Sequence, residues 1–206
     1  KIDKVKKVFV LNISKNINMI TDTLISFREI KITDAALILK WRRKKRITSF
    51  QFTDINNSIN KQKIWIKNSY HKKDYYHWII LFKKKPIGFF NINKIDKKNK
   101  ETSWAWYIGS DKYLTIGGFV PFFFYNWVFK NFNINKLNIY VFSNNKNVIK
   151  IHKMHGYKTL KKKYFIIKNG KKTSYIKMIL NKKNWNFDKY KKYVTNFPTK
   201  NWQPHN

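Results

Sequence analysis

Gly117 and Gly118 stand between an aromatic, β-branched run that ends at Gly109 and a long apolar stretch. A strand that ends, a loop that turns and a helix that opens at glycine suit an anion. The first amides of a helix lack intrahelical acceptors, its dipole is positive there, and glycine lets a phosphate approach the backbone. A diphosphate fits such a place, although two glycines serve equally as a cap or a close packing contact. His152 lies in a run from Asn144 to Met154 that reads as a helix, closed by His155-Gly156. Its imidazole can exchange a proton near neutral pH, or simply pack within the helix. Arg42 opens the basic cluster Arg42 to Arg46. Its guanidinium matches phosphate oxygens, and a basic helix end also balances the dipole. His71 and His77 are given no role.

These residues need elements to hold them. Val8 to Ile13 reads as an extra strand, and Leu24 to Ile30 alternates as a half-buried one. Thr33 or Asp34 offers an N-cap to a helix carrying Ala36, Leu37, Leu39 and Trp41. A second helix is predicted over Ser58 to Tyr70, with Ile59, Trp65 and Ile66 near one face and with Trp41 and Trp65 in the core. Tyr76 to Phe82 and Ile87 to Ile95 form a hairpin about a turn at Lys83 to Pro86. Thr102 to Gly109 adds a strand, and a very apolar helix runs from the glycines to about Asn131. Leu137 to Phe142 is a short strand. The last pair, Tyr164 to Lys168 and Ser174 to Leu180, turns at Asn169-Gly170, the strongest hairpin signal in the chain. An antiparallel meander with one strand–helix–strand crossover gives an α/β (α+β) domain on a mixed, mostly antiparallel central sheet flanked by helices.

The segment Asn144 to Tyr157 resembles the pattern Asn-x-x-Ala-Ile-x-Leu-Tyr/His-x-Lys-x-Gly-Phe of the GNAT N-acetyltransferases. Asn145 takes the first place, Val148 and Ile149 the apolar pair, His152 the Tyr/His place and Gly156-Tyr157 the close. Lys112-Tyr-Leu-Thr-Ile-Gly117 then falls where GNAT members carry Arg/Gln-x-x-Gly-x-Gly/Ala. Thr115 replaces the middle glycine, and Pro121 removes one amide. The resemblance implies a domain over residues 24–181, between an N-terminal extension (1–23) and a polar, aromatic, loosely packed tail (182–206). It implies acetyl-CoA as acyl donor, with no metal. The backbone of Trp106, Tyr107 and Ile108 would hold the pantetheine arm and thioester carbonyl. Lys112, Thr115, Ile116, Gly117, Gly118 and Asn145 would serve the rest of the cofactor, and His152 would protonate the departing thiolate. Because the family's strand often carries a Glu near this place, Glu101 and Ser103 are the candidates for deprotonating the amine, with a solvated strand-end carboxylate as the other reading of Glu101.

Phe27-Arg28, Asp34, Ile38 and Trp41-Arg42-Arg43 resemble the opening of one GNAT group, as do Ile59 to Trp65 and Trp104-Ala-Trp-Tyr-Ile. That group acetylates the 4-amino group of a UDP-linked aminodideoxy sugar in pseudaminic acid synthesis. By this resemblance Arg42, Gln62 and Trp104 bind the acceptor. Ribosomal-type protein acetyltransferases share much of the pattern, and a basic nucleic-acid-binding module that kept the fold is the reading from outside the enzymes.

Composition bounds the rest. The chain has 206 residues, 43% of them hydrophobic, and no cysteine, which excludes disulfides, thiolate metal sites and cysteine nucleophiles. The apolar run from Ile116 to Phe132 is interrupted by Pro121, Asn126 and Lys130, so no membrane span is expected. No small-residue cleavage site follows the first residues, and a cytoplasmic protein is the expectation. The formal charge is +35. Such a charge invites anionic partners. Compositional drift toward Lys, Asn, Ile and Phe accounts for it without selection, so a nucleic-acid partner is not expected. A small-molecule amine, a nucleotide sugar above all, is the expected partner, and a homodimer is compatible with the sequence.

Overall fold

The structure, a computed structural model, describes residues 24–199. The expected strand at Val8 to Ile13 lies outside them. One seven-stranded sheet runs in the order β1-β2-β3-β4-β5-β7-β6. Its strands are β1 (Ile25–Glu29), β2 (Tyr76–Phe82), β3 (Lys85–Asp96), β4 (Glu101–Ile108), β5 (Lys136–Phe142), β6 (Lys158–Lys168) and β7 (Lys171–Asn181). Every pairing is antiparallel except β4 with β5. The helices are α1 (Ala35–Arg42), α2 (Lys45–Thr48), α3 (Ile59–Ser69), α4 (Val120–Asn131) and α5 (Lys146–Met154). This is the mixed, mostly antiparallel α/β architecture that the pattern of strands and helices implied.

Local chemistry explains most of the boundaries. Asn169 and Gly170 both have positive φ (48° and 72°), as a two-residue hairpin turn requires. The β2–β3 turn is tighter than the expected Lys83 to Pro86. Only Lys83 and Lys84 lie between the strands, both at positive φ, and Pro86 is already within β3. Ser58 caps α3 by accepting from the Lys61 amide at 3.3 Å. Neither Thr33 nor Asp34 caps α1 through its side chain. A short 3-10 turn, Ile32–Asp34, precedes that helix instead. The buried Asp34 carboxylate accepts both Arg28 Nη groups at 2.7 Å and the Lys31 amide at 2.8 Å. This bidentate pair ties β1 to the entry of α1.

Trp41 is in the core, but Trp65 and Ile59 are 41% and 45% exposed, and of the three α3 residues only Ile66 is buried. Trp65 instead lies across His77, 5.0 Å between ring centroids. The apolar helix begins at Val120, later than expected. Gly117 and Gly118 close a preceding 3-10 turn, Asp111–Gly118. Pro121 falls within the first turn of α4, where an amide has no intrahelical acceptor to lose.

Helix α4 is buried on all sides from Val120 to Phe129. One side meets the sheet, and the segment after β7 covers the other. The tail is therefore packed through residue 199, not loose. Trp185, Tyr193 and Phe197 are buried, and Phe197 stacks on Phe27 of β1 at 3.9 Å. Asn126 fastens it: Nδ2 donates to the Tyr190 and Tyr193 carbonyls (2.8 and 2.9 Å), and Oδ1 accepts from Trp185 Nε1 at 2.8 Å. Replacing Asn126 by alanine strands an indole N–H and two carbonyls. About 2 kcal/mol of stability should go, with the tail becoming the first site of limited proteolysis. An unchanged denaturation midpoint and an intact tail would contradict this account.

Candidate active site

Strand β4 is the centre of the site because its two edges are treated differently. Toward β3 it pairs in unbroken register from Ser103 to Ile108. Toward β5 the pairing covers only Glu101 to Ser103, against Lys136 to Asn138. Both strands continue, β5 as far as Phe142 along β7, but they diverge. A wedge opens between them, and among the described residues the β4 backbone from Trp104 to Ile108 has no strand on that side. Peptide groups left unpaired inside a sheet are a ready row of donors and acceptors for an extended ligand.

Alternation puts Glu101, Ser103, Ala105 and Tyr107 on one face of β4 and Thr102, Trp104, Trp106 and Ile108 on the other. Ala105 is exposed although it sits on the middle strand of seven. Among the described residues nothing covers it, so it floors an open cleft. Asn91 and Asn93 stand opposite Ala105 and Ser103, joined by a 2.7 Å hydrogen bond. The floor is therefore polar.

At one end of the wedge the chain is clamped. Arg46 Nη1 donates to the Ile108 carbonyl (2.7 Å), Nη2 to the Gly109 carbonyl (3.0 Å) and Nε to Asp111 (2.8 Å). Lys44 Nζ also reaches Asp111, at 2.5 Å. The two cations hold the Asp111 carboxyl below its ordinary pKa. Arg46 thereby fixes the start of the 3-10 turn and takes one lone pair of the Ile108 carbonyl. Trp106 packs against Gly117, where an added Cβ would lie 2.9 Å from the indole, while Gly118 faces open space. Lys112 and Thr115 are exposed on the same turn; Ile116 is buried and offers only its backbone. Asn145 caps α5, its Oδ1 accepting from the Val148 amide at 3.4 Å. That carboxamide orients the helix.

The other side of the cleft is lined from α1, the loop after α2, and β5. Arg42 Nη2 donates to the Thr53 carbonyl and hydroxyl (2.9 and 3.1 Å). Lys168 of β6 donates to the Gln51 carbonyl and pairs with Asp54 at 3.7 Å. Phe52 stacks on Phe142 at 4.5 Å. The loop is thus pinned to both halves of the sheet. Asn138, opposite Ser103 in the last β4–β5 pair, is buried with its Oδ1 unpartnered among the described residues. Gln62, partly buried, precedes Trp65 by one turn on α3, beside this face.

Two expected residues fall elsewhere. Trp104 is 4% exposed, stacked on Phe90 with its Nε1 donating to Tyr157 Oη at 2.9 Å. It points away from the Ser103 face and belongs to the core, so it does not line the acceptor cleft. His152 is buried on the Trp104 side, its Nδ1 unpartnered among the described residues. Burial, with His155 adding to it, lowers its pKa to about 3. An imidazole held neutral is not charged to protonate a thiolate. Sequence reading missed Arg46, Asn138, Lys168 and the Tyr107 hydroxyl. Arg46 is one cation among many in its cluster, whereas the shared parity of Ser103 and Tyr107 could have revealed the latter's face.

The chain matches the acetyltransferase (GNAT) domain family over residues 25–158. No curated protein sequence matches it. Among solved structures it is similar to spermidine N-acetyltransferase from Vibrio cholerae in complex with CoA and spermine. The TM-score is 0.70 at 13% identity, covering 79% of this chain and 98% of that one. It is also similar to the dodecameric form of the Vibrio cholerae enzyme in an intermediate state, with TM-score 0.65, 12% identity, and 78% and 95% of the two chains covered. Likeness at such identity concerns the fold. Among the described residues no group of His, Cys, Asp and Glu is arranged to hold a metal, and no helix is long and apolar enough to cross a membrane.

Proposed function

This chain belongs to the acetyltransferase (GNAT) domain family, and from that premise we propose that it moves the acetyl group of acetyl-CoA onto a primary amine seated over Ala105. The observation that carries the reading is the divergence of β4 from β5 beyond Ser103 and Asn138. It gives an acyl donor a backbone edge to lie along and gives the amine a separate approach from the Ala105 face. Acetyl-CoA supplies the activated acyl group as a thioester. The chain's part is to hold it and to manage a proton. The free peptide groups of Trp104 to Tyr107 line the wedge, and the turn carrying Lys112, Thr115, Gly117 and Gly118 takes the pyrophosphate. The orphan Asn138 Oδ1 accepts an N–H of the amine and orients its lone pair. Glu101 is the carboxylate on the cleft face, and Ser103 lies between it and the floor, so the proton lost by the amine goes toward Glu101, directly or along water. His152, being neutral and enclosed, supports the packing of Trp104 and Tyr157 in this reading.

The finer identity of the amine follows charge. The solved relatives are spermidine acetyltransferases. A polycation is repelled by a chain with 45 Lys and Arg against 10 Asp and Glu. Arg42 and Lys168 also border the cleft itself. We therefore favour an amine carried on a phosphate-bearing molecule, such as the 4-amino group of a UDP-linked aminodideoxy sugar. The test is release of CoA from acetyl-CoA across a panel of a UDP-aminosugar, spermidine and a ribosomal N-terminal peptide. Turnover of the nucleotide sugar is expected. Turnover of the peptide or spermidine alone would remove the sugar assignment. Absence of both turnover and thermal stabilisation by acetyl-CoA would remove acetyl transfer.

A further inference from the structure

Two buried hydrogen-bond donors on the acceptor side of the sheet have no acceptor among the described residues. One is Nε of Arg42, and the other is the hydroxyl of Tyr107, a residue only 9% exposed. An unsatisfied buried donor costs about 1–3 kcal/mol, so two together call for a shared explanation. They come from different elements: Arg42 ends α1, and Tyr107 is on β4, in the same face as Ala105. Trp41, next to Arg42 on α1, meets the Tyr107 ring edge-on at 6.5 Å, which brings the two donors to one side of the sheet. Both are held in place. Arg42 is fixed through Nη2 on Thr53. The Tyr107 ring stacks on Phe89 at 5.5 Å and meets Trp41 edge-on at 6.5 Å. Burial raises the Tyr107 pKa, so its hydroxyl keeps its proton and donates. Burial lowers the Arg42 pKa against the opposing pull of Tyr107 and Asp54. Asp54 is the nearby carboxylate, but it is 68% exposed and paired with Lys168, and so leaves Nε unanswered.

We infer that Arg42 Nε and the Tyr107 hydroxyl together form a subsite for one oxyanion of the acceptor, a phosphate or carboxylate borne by the same molecule as the amine. This rests on the acetyl-transfer reading and sharpens it. Two fixed donors, one of them charged, match the acceptor-only oxygens of such a group, and an ammonium could satisfy neither. The proposal brings in Tyr107 through its side chain, where the sequence motif suggested only a backbone role. It also explains a tyrosine where phenylalanine would pack equally well and leave no orphan hydroxyl.

The test compares glucosamine with glucosamine 1-phosphate at saturating acetyl-CoA and about 0.15 M salt, where nonspecific attraction to a basic surface is screened. In the unaltered chain kcat/KM should favour the phosphorylated amine by about tenfold or more, equivalent to about 1.4 kcal/mol. Tyr107→Phe changes no charge and little volume, and should bring the ratio close to one, mainly through KM. Arg42→Lys keeps the charge but loses the Nε donor and should do the same. A parallel thermal-shift titration uses pyrophosphate with CoA present to fill the donor site. It should show stabilisation that Tyr107→Phe loses, and it decides the matter if neither sugar is turned over. A preference or a pyrophosphate shift unchanged by Tyr107→Phe would overturn the subsite. Equal use of both sugars by the unaltered chain would also do so. Failure of CoA itself to stabilise the protein would instead count against acetyl transfer.

Discussion

Lowering the pH from about 7.5 to about 5 is expected to remove much of this protein's stability. The cause is three buried histidines. Burial lowers His77 and His152 to about 3, with Lys72 and His155 respectively adding to the effect, and lowers His155 to about 4. In the unfolded chain each titrates near 6.5. The folded state thus binds fewer protons than the unfolded one between these limits. The stability these groups confer is complete above about pH 6.5 and falls as the pH drops toward 4. At about pH 5 each histidine costs about 2 kcal/mol, so together they take a large share of the stability of an ordinary domain. Asp96 and Asp111 are also depressed, but they are exposed and titrate below this window. Denaturant midpoints measured from pH 7.5 to 4.5 should decline steeply, and His155→Phe should make the slope shallower. A flat profile down to pH 5 would show that these imidazoles are not buried as described.

The second large effect is expected from a single methyl group at Gly109. This residue joins β4 to the turn assigned to the pyrophosphate, and an added Cβ would lie 2.1 Å from Trp41 Cδ2. Neither side can yield easily. The Gly109 amide donates to the Ile87 carbonyl at 2.7 Å, its carbonyl accepts from Arg46 at 3.0 Å, and Trp41 is 4% exposed. Gly109→Ala should cost about 3 kcal/mol by overpacking. It should also reduce acetyl-CoA turnover by about 100-fold, because a shift of about 1 Å in positioning elements costs that much. Trp41→Leu in the same chain makes room for the methyl and should recover part of both losses. Calorimetric binding of acetyl-CoA at unaltered affinity by Gly109→Ala would contradict the clamp.

What was legible in the sequence had a local cause. The Asn169-Gly170 turn was readable because both residues tolerate positive φ, and the α5 close was readable at Gly156. The turn at Lys83 to Pro86 was readable too, but not its confinement to Lys83-Lys84, since lysine carries no signal for positive φ. The wedge was invisible for a different reason: where two parallel strands stop pairing depends on what packs above and below them, not on the residues at the divergence. Alternation could separate Ser103 and Ala105 from Trp104 and Trp106, but not tell which set met the core. The tail was misjudged because Trp185, Tyr193 and Phe197 follow no helical or strand period. Their partners, Asn126, Phe122 and Phe27, are distant in the chain.

The seating of Phe197 on Phe27 has a consequence for biosynthesis. The first strand waits for a partner made 170 residues later, so the sheet cannot finish its core while the polypeptide is still being extended. Helix α4, buried around its whole circumference once the fold is complete, stays uncovered on one side over that interval. Nascent chains halted before Trp185 should therefore bind chaperones and aggregate, and the emergence of Trp185 to Phe197 from the ribosome should let the core close.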